Sequence, residues 1–179
     1  MKKRIDLILF EKGFFPSKEK AKEAITEGII SVNGNSNIKP GHKFEENVQI
    51  KIIGKVMEYV SRAGLKLEKA IKDFSIDFKE QIVMDVGSST GGFTECSLKN
   101  GASKVYAVDV GKNQLHSKLR KDKRVVVLEN TDFRSISASK YNDIDILTVD
   151  VSFISIKLLT EKLSEIAKKE KEVIILIKP

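Results

Sequence analysis

The sequence predicts an α/β protein in which a doubly wound, mainly parallel sheet is preceded by a small α+β unit. Three observations carry that prediction. Five short apolar runs, at 82–86, 105–109, 125–128, 144–149 and 173–177, are separated by helix-length or shorter polar segments, the pattern of parallel strands covered on both faces. The first run passes directly into a glycine-rich loop, Asp85-Val86-Gly87-Ser88-Ser89-Thr90-Gly91-Gly92-Phe93, of the kind that turns a chain sharply from strand into helix. Residues 1–56 follow a different pattern, two short helices and then short strands separated by turn residues.

Taking the elements in order, Ile5, Leu7, Ile8, Leu9 and Phe10 open a short apolar-faced helix that Gly13 ends. Ser17, after Pro16, is the N-cap of a second helix with Ala21, Ala24 and Ile25 on one face. Gly28 closes that helix where a positive φ is cheap. Residues 29–32 read as a strand, Asn33-Gly34 as a tight hairpin turn and Lys39-Pro40-Gly41 as another turn, with Val48, Ile50 and Ile52 alternating as the closing strand. Residues 54–58 are the linker candidate, which gives domains at 1–56 and 57–179. Beyond it, Tyr59 to Leu67 opens a helix ahead of the first strand of the sheet.

Composition sets the class. The chain has 179 residues, 41% hydrophobic and 32% charged, enough apolar mass for a real core and too much for a disordered tail. One cysteine, Cys96, excludes an internal disulfide and any multi-cysteine metal site; it reads as a small core filler, and His42 and His116 as surface residues. No apolar run approaches the length that spans a bilayer, and no signal-peptide pattern follows the basic start, so the expectation is a cytoplasmic protein. The formal net charge is +7, and residues 1–56 hold 11 Lys/Arg against 7 Asp/Glu. The basic excess is densest there, which points to a polyanion partner. Composition alone nevertheless reads Lys18, Lys20 and Lys22, interleaved with Glu19 and Glu23, as a solvated helix face.

Chemistry concentrates at the ends of the strands, where a doubly wound sheet binds its ligands. The loop brings Asp85, Gly87, Ser88, Ser89, Thr90, Gly91, Gly92 and Phe93 to the first strand's end. Asp109 ends the second strand, 24 residues after Asp85, where an acid accepts both hydroxyls of a ribose. Asp132 follows the third strand, placed to accept from an adenine amino group. Acids after successive strands suit S-adenosylmethionine, a cofactor without pyrophosphate. A dinucleotide fits less well, because Ser89 stands where the second glycine of G-x-G-x-x-G falls. A tight turn with no ligand is the competing reading of the loop.

Two resemblances extend these readings. Arg4-Ile5-Asp6, Gly13, Ser17-Lys18, Ala21, Ile25, Gly28, Val32-Asn33-Gly34 and Lys39-Pro40-Gly41 resemble, over residues 3–53, the RNA-binding domain named after ribosomal protein S-four. That implies an RNA-facing surface carrying Arg4, Lys18, Lys20, Lys22 and, outside the domain, Arg62, with cations neutralising phosphates. Lys18 stands where the family often has Arg, keeping the charge and losing bidentate geometry. The whole chain resembles the hemolysin A-like (TlyA) RNA methyltransferases of the FtsJ-like ribose 2′-O-methyltransferase group, through Ser61-Arg62-x-x-x-Lys66-Leu67, Ser89-Thr90-Gly91-Gly92-Phe93, Asp150-Val151-Ser152-Phe153 and Ile177-Lys178-Pro179. Ala63 and Ser88 replace other small residues.

The resemblance implies a Rossmann-like methyltransferase sheet, S-adenosylmethionine as cofactor, ribosomal RNA or a ribosomal subunit as partner, and methylation of a cytidine ribose. It carries over three members of a Lys-Asp-Lys-Glu catalytic set, Lys66, Asp150 and Lys178. The fourth would lie beyond Pro179. A ribose hydroxyl is a poor nucleophile until its proton is being removed, and an amine with a lowered pKa can remove it. Lys178 is then the base, Lys66 lowers its pKa and orients the hydroxyl, and Asp150 holds both amines; no metal is needed. Two other readings stand beside this one, an RNA-binding protein impaired in catalysis and a hemolysin-like protein that keeps the fold. Residues 173–177 are expected to form an edge strand of a sheet incomplete on that side, open to self-association.

Overall fold

The computed structural model describes residues 2–54, 59–152, 154–167 and 171–177. The chain divides into two compact units, Met1–Glu58 and Tyr59–Pro179. The first contains β1 (Lys2–Arg4), α1 (Ile5–Glu11), α2 (Lys18–Thr26), β2 (Ile30–Val32), β3 (Lys43–Glu45) and β4 (Ile50–Ile52). β1 pairs antiparallel with β3, and β2 with β4. β1 is Lys-Lys-Arg and β3 is Lys-Phe-Glu, too short and with too few apolar positions for a periodicity to announce them in the sequence.

Local chemistry fixes the helix ends. Ser17 Oγ accepts from the Lys20 amide at 3.2 Å, capping α2 as its residue type predicts. α1 ends in a two-bond Schellman motif, in which the Phe14 amide donates to the Leu9 carbonyl and the Gly13 amide to the Phe10 carbonyl, each at 3.0 Å. Gly13 takes the left-handed position at φ +73°, which an L side chain adopts at a cost. The two helices and β2 enclose one core that includes Ile5, Ile8, Leu9, Phe15, Ala24, Ile25 and Ile30.

The second unit contains α3 (Ala63–Phe74), β5 (Ile82–Val86), α4 (Gly92–Lys99), β6 (Lys104–Val108), α5 (Ser117–Arg120), β7 (Val125–Leu128), β8 (Ile146–Val149), α6 (Thr160–Ile166) and β9 (Glu172–Ile175). The five strands form a parallel sheet in the order β7-β6-β5-β8-β9. The predicted doubly wound architecture is therefore present. β5, β6 and β8 are buried almost throughout, which is why they read as continuous apolar runs. Val83, Val105 and Ile146 pack with Leu67, Phe93 and Cys96 on one face. Met84, Leu147 and Val149 pack with Leu159, Leu163 and Ile166 on the other. Burial of such side chains stabilises the fold by about 1.5–3 kcal/mol each.

Topology places the site. From β5 the chain moves outward to β6 and β7, then returns to β8 on the other flank of β5. The carboxyl ends of β5 and β8 lie side by side, with Val86 opposite Val149, and a crevice opens above such a reversal.

Candidate functional site

A cavity of about 320 Å³ occupies that crevice, within the size range of small-ligand pockets. Its wall takes Gly87 and Ser89 from the loop after β5, Asp109, Val110 and Gln114 from the segment after β6, Thr131, Asp132 and Phe133 from beyond β7, and Asp150, Val151 and Ser152 from beyond β8. Carboxylates and apolar side chains alternate around it, suiting a ligand with hydroxyl or amino donors on an apolar ring system.

Hydrogen bonds hold the rim in shape. The amides of Gly87 and Ser88 both donate to the Val108 carbonyl, at 2.9 and 3.0 Å, and the Asp150 amide donates to the Val86 carbonyl at 3.1 Å. Gly87 has φ +83°, and a Cβ there would meet the Asp150 carbonyl oxygen at 2.8 Å; only glycine lets the β5 and β8 ends approach this closely. Asp109 Oδ2 accepts from the Ser89 amide at 2.8 Å and Oδ1 from the Gly111 amide at 2.7 Å. It therefore joins the two loops that flank the pocket, with acceptor capacity left on both oxygens. Asp132 caps the following turn by accepting from the Arg134 amide at 2.9 Å. The Arg134 guanidinium bonded to it holds its carboxyl below the usual range.

Other loop residues serve the packing beneath. Asp85, expected among the cofactor ligands, is fully buried and off the cavity wall. Its Oδ2 accepts from Thr94 Oγ1 at 2.6 Å and its Oδ1 from Thr148 Oγ1 at 3.2 Å, tying β5 to α4 and β8. Burial pushes its carboxyl up to about 6, the threonine hydrogen bonds pull it back, and the charge of Asp150 adds to the push. Ser88 is buried, Phe93 belongs to the core, and Thr90 is exposed; none of the three lines the cavity. Gly91 and Gly92 also stand off the wall. A Cβ on Gly91 would clash with Leu119, and one on Gly92 with Ser61 Oγ. These two glycines let α4 start hard against α5 and the N-terminus of α3.

Of the catalytic set, Asp150 lines the cavity. Lys66 is exposed at the end of the first turn of α3 and Arg62 is exposed just before it, neither on the cavity wall. Lys178 lies outside the described residues, as do Phe153 and residues 55–58 of the expected linker. Tyr59 belongs to the core of the second unit, donating to Glu68 Oε1 at 2.8 Å. Cys96 is buried beside it, as a core filler should be.

In the first unit, Lys18 and Lys22 are exposed on α2, while Lys20 pairs with Glu23. Arg4, expected to face RNA, makes a two-pronged bond to Asp6, at 3.0 Å from Nε and 2.7 Å from its terminal nitrogen. That guanidinium holds the buried Asp6 carboxyl below its ordinary value.

Sequence reasoning missed Glu129. Its Oε2 accepts from the Asn113 amide at 2.7 Å, and its Oε1 from Gln114 and Leu115 at 2.8 and 2.9 Å. Arg120 pairs with the same carboxylate. The guanidinium and then the amides hold its carboxyl down at about 2. Glu129 thus shapes the segment that presents Gln114 to the cavity. The available signal was an acid directly after an apolar strand.

Comparison with known proteins agrees with this architecture. The family model for FtsJ-like methyltransferase matches residues 59–179, and that for the S4 domain matches residues 3–50. The chain is 46% identical over 180 residues to YqxC of Bacillus subtilis, provisionally named an rRNA methyltransferase, a match covering 99% of this chain and 64% of that protein. It is 34% identical over 178 residues to the 16S/23S rRNA (cytidine-2′-O)-methyltransferase TlyA of Mycobacterium tuberculosis, covering 98% of this chain and 66% of that one. A solved structure from Streptococcus thermophilus, provisionally described as a hemolysin, superposes with a TM-score of 0.70 at 41% identity, over 99% of this chain and 66% of its own. The chain thus spans just under two thirds of the length of these relatives.

Proposed function

The chain belongs to the FtsJ-like methyltransferase family, and from that premise we propose that it is an S-adenosylmethionine-dependent RNA methyltransferase that modifies the 2′-hydroxyl of a cytidine in ribosomal RNA. The observation that carries the reading is the crevice between the β5 and β8 ends, with Asp109, Asp132 and Asp150 on its wall. The residues present fit the cofactor. Asp109 keeps acceptor capacity for ribose hydroxyls, Asp132 can accept from an adenine amino group, and Val110 and Phe133 supply apolar cover for a base. Bound there, the cofactor supplies a sulfonium methyl group that needs little activation.

The chain's own work is then on the acceptor. Lys178 Nζ takes the proton of the ribose hydroxyl as the oxygen becomes nucleophilic. In this scheme Lys66 is the second cation that lowers the pKa of that amine, and Asp150 orients the amines from the rim. Positioning that hydroxyl against the bound cofactor would supply several kcal/mol of the barrier reduction. The N-terminal unit binds ribosomal RNA through exposed lysines, Lys18 and Lys22 among them. Such an enzyme works in the cytoplasm, and no helix among the described residues is long and apolar enough to cross a membrane. Among the described residues β9 lies at one edge of the sheet with Val173 and Ile175 partly exposed; self-association through it is part of the proposal, and sedimentation of the parent beside a Val173→Lys variant tests it.

The function itself is tested by radiolabelled methyl transfer to ribosomal RNA and intact subunits, beside calorimetry with S-adenosylmethionine. Transfer to a cytidine ribose that Lys178→Ala abolishes, with cofactor affinity unchanged, is the expected result. Absence of cofactor binding would overturn the reading. Binding without transfer would favour the RNA-binding alternative. Replacing Lys18 and Lys22 by Ala should weaken RNA binding and lower its salt slope by about one for each phosphate no longer neutralised.

A further inference from the structure

We infer that the C-terminal end of α1 and the N-terminal end of α2 form a stacking platform for unpaired RNA bases, with Phe10 and Phe14 as the rings and Lys12 and Lys18 as the phosphate partners. The inference rests on the proposal that this unit binds RNA, and it specifies which part of an RNA the unit takes.

The two rings are exposed by 40% and 39%, while the adjacent Phe15 is buried in the core at 3%. The Phe14-Phe15 pair is therefore split, one ring serving the fold and the other facing water. Backbone geometry puts the two residues beside one turn. The Schellman motif bonds the Phe14 amide to Leu9 and the Gly13 amide to Phe10, so both phenylalanines flank one hydrogen-bonded turn. A scattered exposed apolar residue needs no explanation; two exposed rings on one turn, in a chain with no tryptophan, are a different matter.

Charge selects the occupant. Lys12 closes α1 and Lys18 opens α2, both exposed, and residues 1–56 hold 11 Lys/Arg against 7 Asp/Glu. An apolar protein surface docking here would leave those cations beside it without partners. A single-stranded nucleotide satisfies both features, offering a π face to each ring and a phosphate to each lysine. A continuous duplex keeps its base faces stacked inside and offers only the phosphates.

The test titrates the full chain with two probes, a hairpin RNA whose unpaired loop carries 2-aminopurine, and a fully paired duplex of the same stem. The double variant Phe10→Leu, Phe14→Leu keeps apolar cover and removes the rings, so a structural role would survive it. It should weaken hairpin binding by about tenfold and leave duplex binding unchanged. Its salt slope should match the parent's, because every lysine that neutralises a phosphate is still present, whereas Lys12→Ala, Lys18→Ala should lower the slope on both probes. The parent should quench 2-aminopurine, the leucine variant should not, and Phe14→Trp in that background should restore quenching. Unchanged hairpin affinity and quenching in the leucine variant, or equal losses on both probes, would overturn the platform while leaving RNA binding intact. A parent chain that binds neither probe would overturn the RNA-binding proposal and the platform together.

Discussion

Asp85→Asn should make the protein more stable at neutral pH and no more stable at pH 4. Asp85 is fully buried, bonded to Thr94 and Thr148, and close enough to Asp150 to feel its charge. Its carboxyl sits at about 6 in the fold against 3.8 in the unfolded chain. Between those values the native state holds the proton more often than the unfolded state does, so stability falls as pH rises through the window. The gap of about two pH units corresponds to roughly 3 kcal/mol, at about 1.4 kcal/mol per unit. Asparagine keeps the geometry without the charge, since its oxygen accepts from Thr94 Oγ1 and its amide donates to a Thr148 hydroxyl that can rotate to accept. The advantage at pH 8 should therefore approach 3 kcal/mol at most.

Urea unfolding followed by circular dichroism in the tyrosine band reports on the right unit, because the three tyrosines, Tyr59, Tyr106 and Tyr141, all lie in it. Comparing variant with parent at each pH cancels the titration of every other group that the substitution leaves alone. An Asp85→Asn protein less stable than its parent at pH 8, or an advantage undiminished at pH 4, would refute the assignment of burial as the cause.

Three further outcomes are expected. Asp109→Ala should weaken S-adenosylmethionine binding by about 1–3 kcal/mol by calorimetry, with RNA binding unaffected; unaltered cofactor affinity would remove Asp109 from the site. Glu129→Gln should cost about 1.5–3 kcal/mol of unfolding free energy and speed hydrogen exchange at the Asn113, Gln114 and Leu115 amides. Because its carboxyl is held at about 2, its contribution is present above its ordinary 4.5 and lost as pH falls toward 2, so the parent–variant difference should shrink on acidification. Gly87→Ala should lower stability and cofactor affinity together, since a Cβ would press on the Asp150 carbonyl; thermal melts and calorimetry unchanged from the parent would show that the β5 and β8 ends can move apart.

How far the site was legible depended on where each acid stands relative to its strand end. The sheet itself was plain, because strands buried on both faces must be apolar at every position, whereas β1 and β3 carry lysine, arginine and glutamate and left no such trace. The acids needed a finer distinction. Asp85 lies within β5, in register with Ala107 and Thr148, so the two-residue alternation of a strand sends its side chain to the face that Val83 occupies. Asp109 and Asp150 come one residue after β6 and β8, where the ladder has ended and a side chain can reach the rim. Reading every acid near a strand end as equivalent merged these two cases. Glu129 stands in the same first position after β7, yet an acid that bonds three backbone amides has no sequence partner to reveal it. Lys66 was harder still. Its neighbour Leu67 is buried, which fixes the inward face of α3, but where the opposite face points relative to the crevice depends on how α3 packs on α4. That packing is set by Gly92 against Ser61 and Ala63, an approach between separate parts of the chain that helical periodicity does not encode.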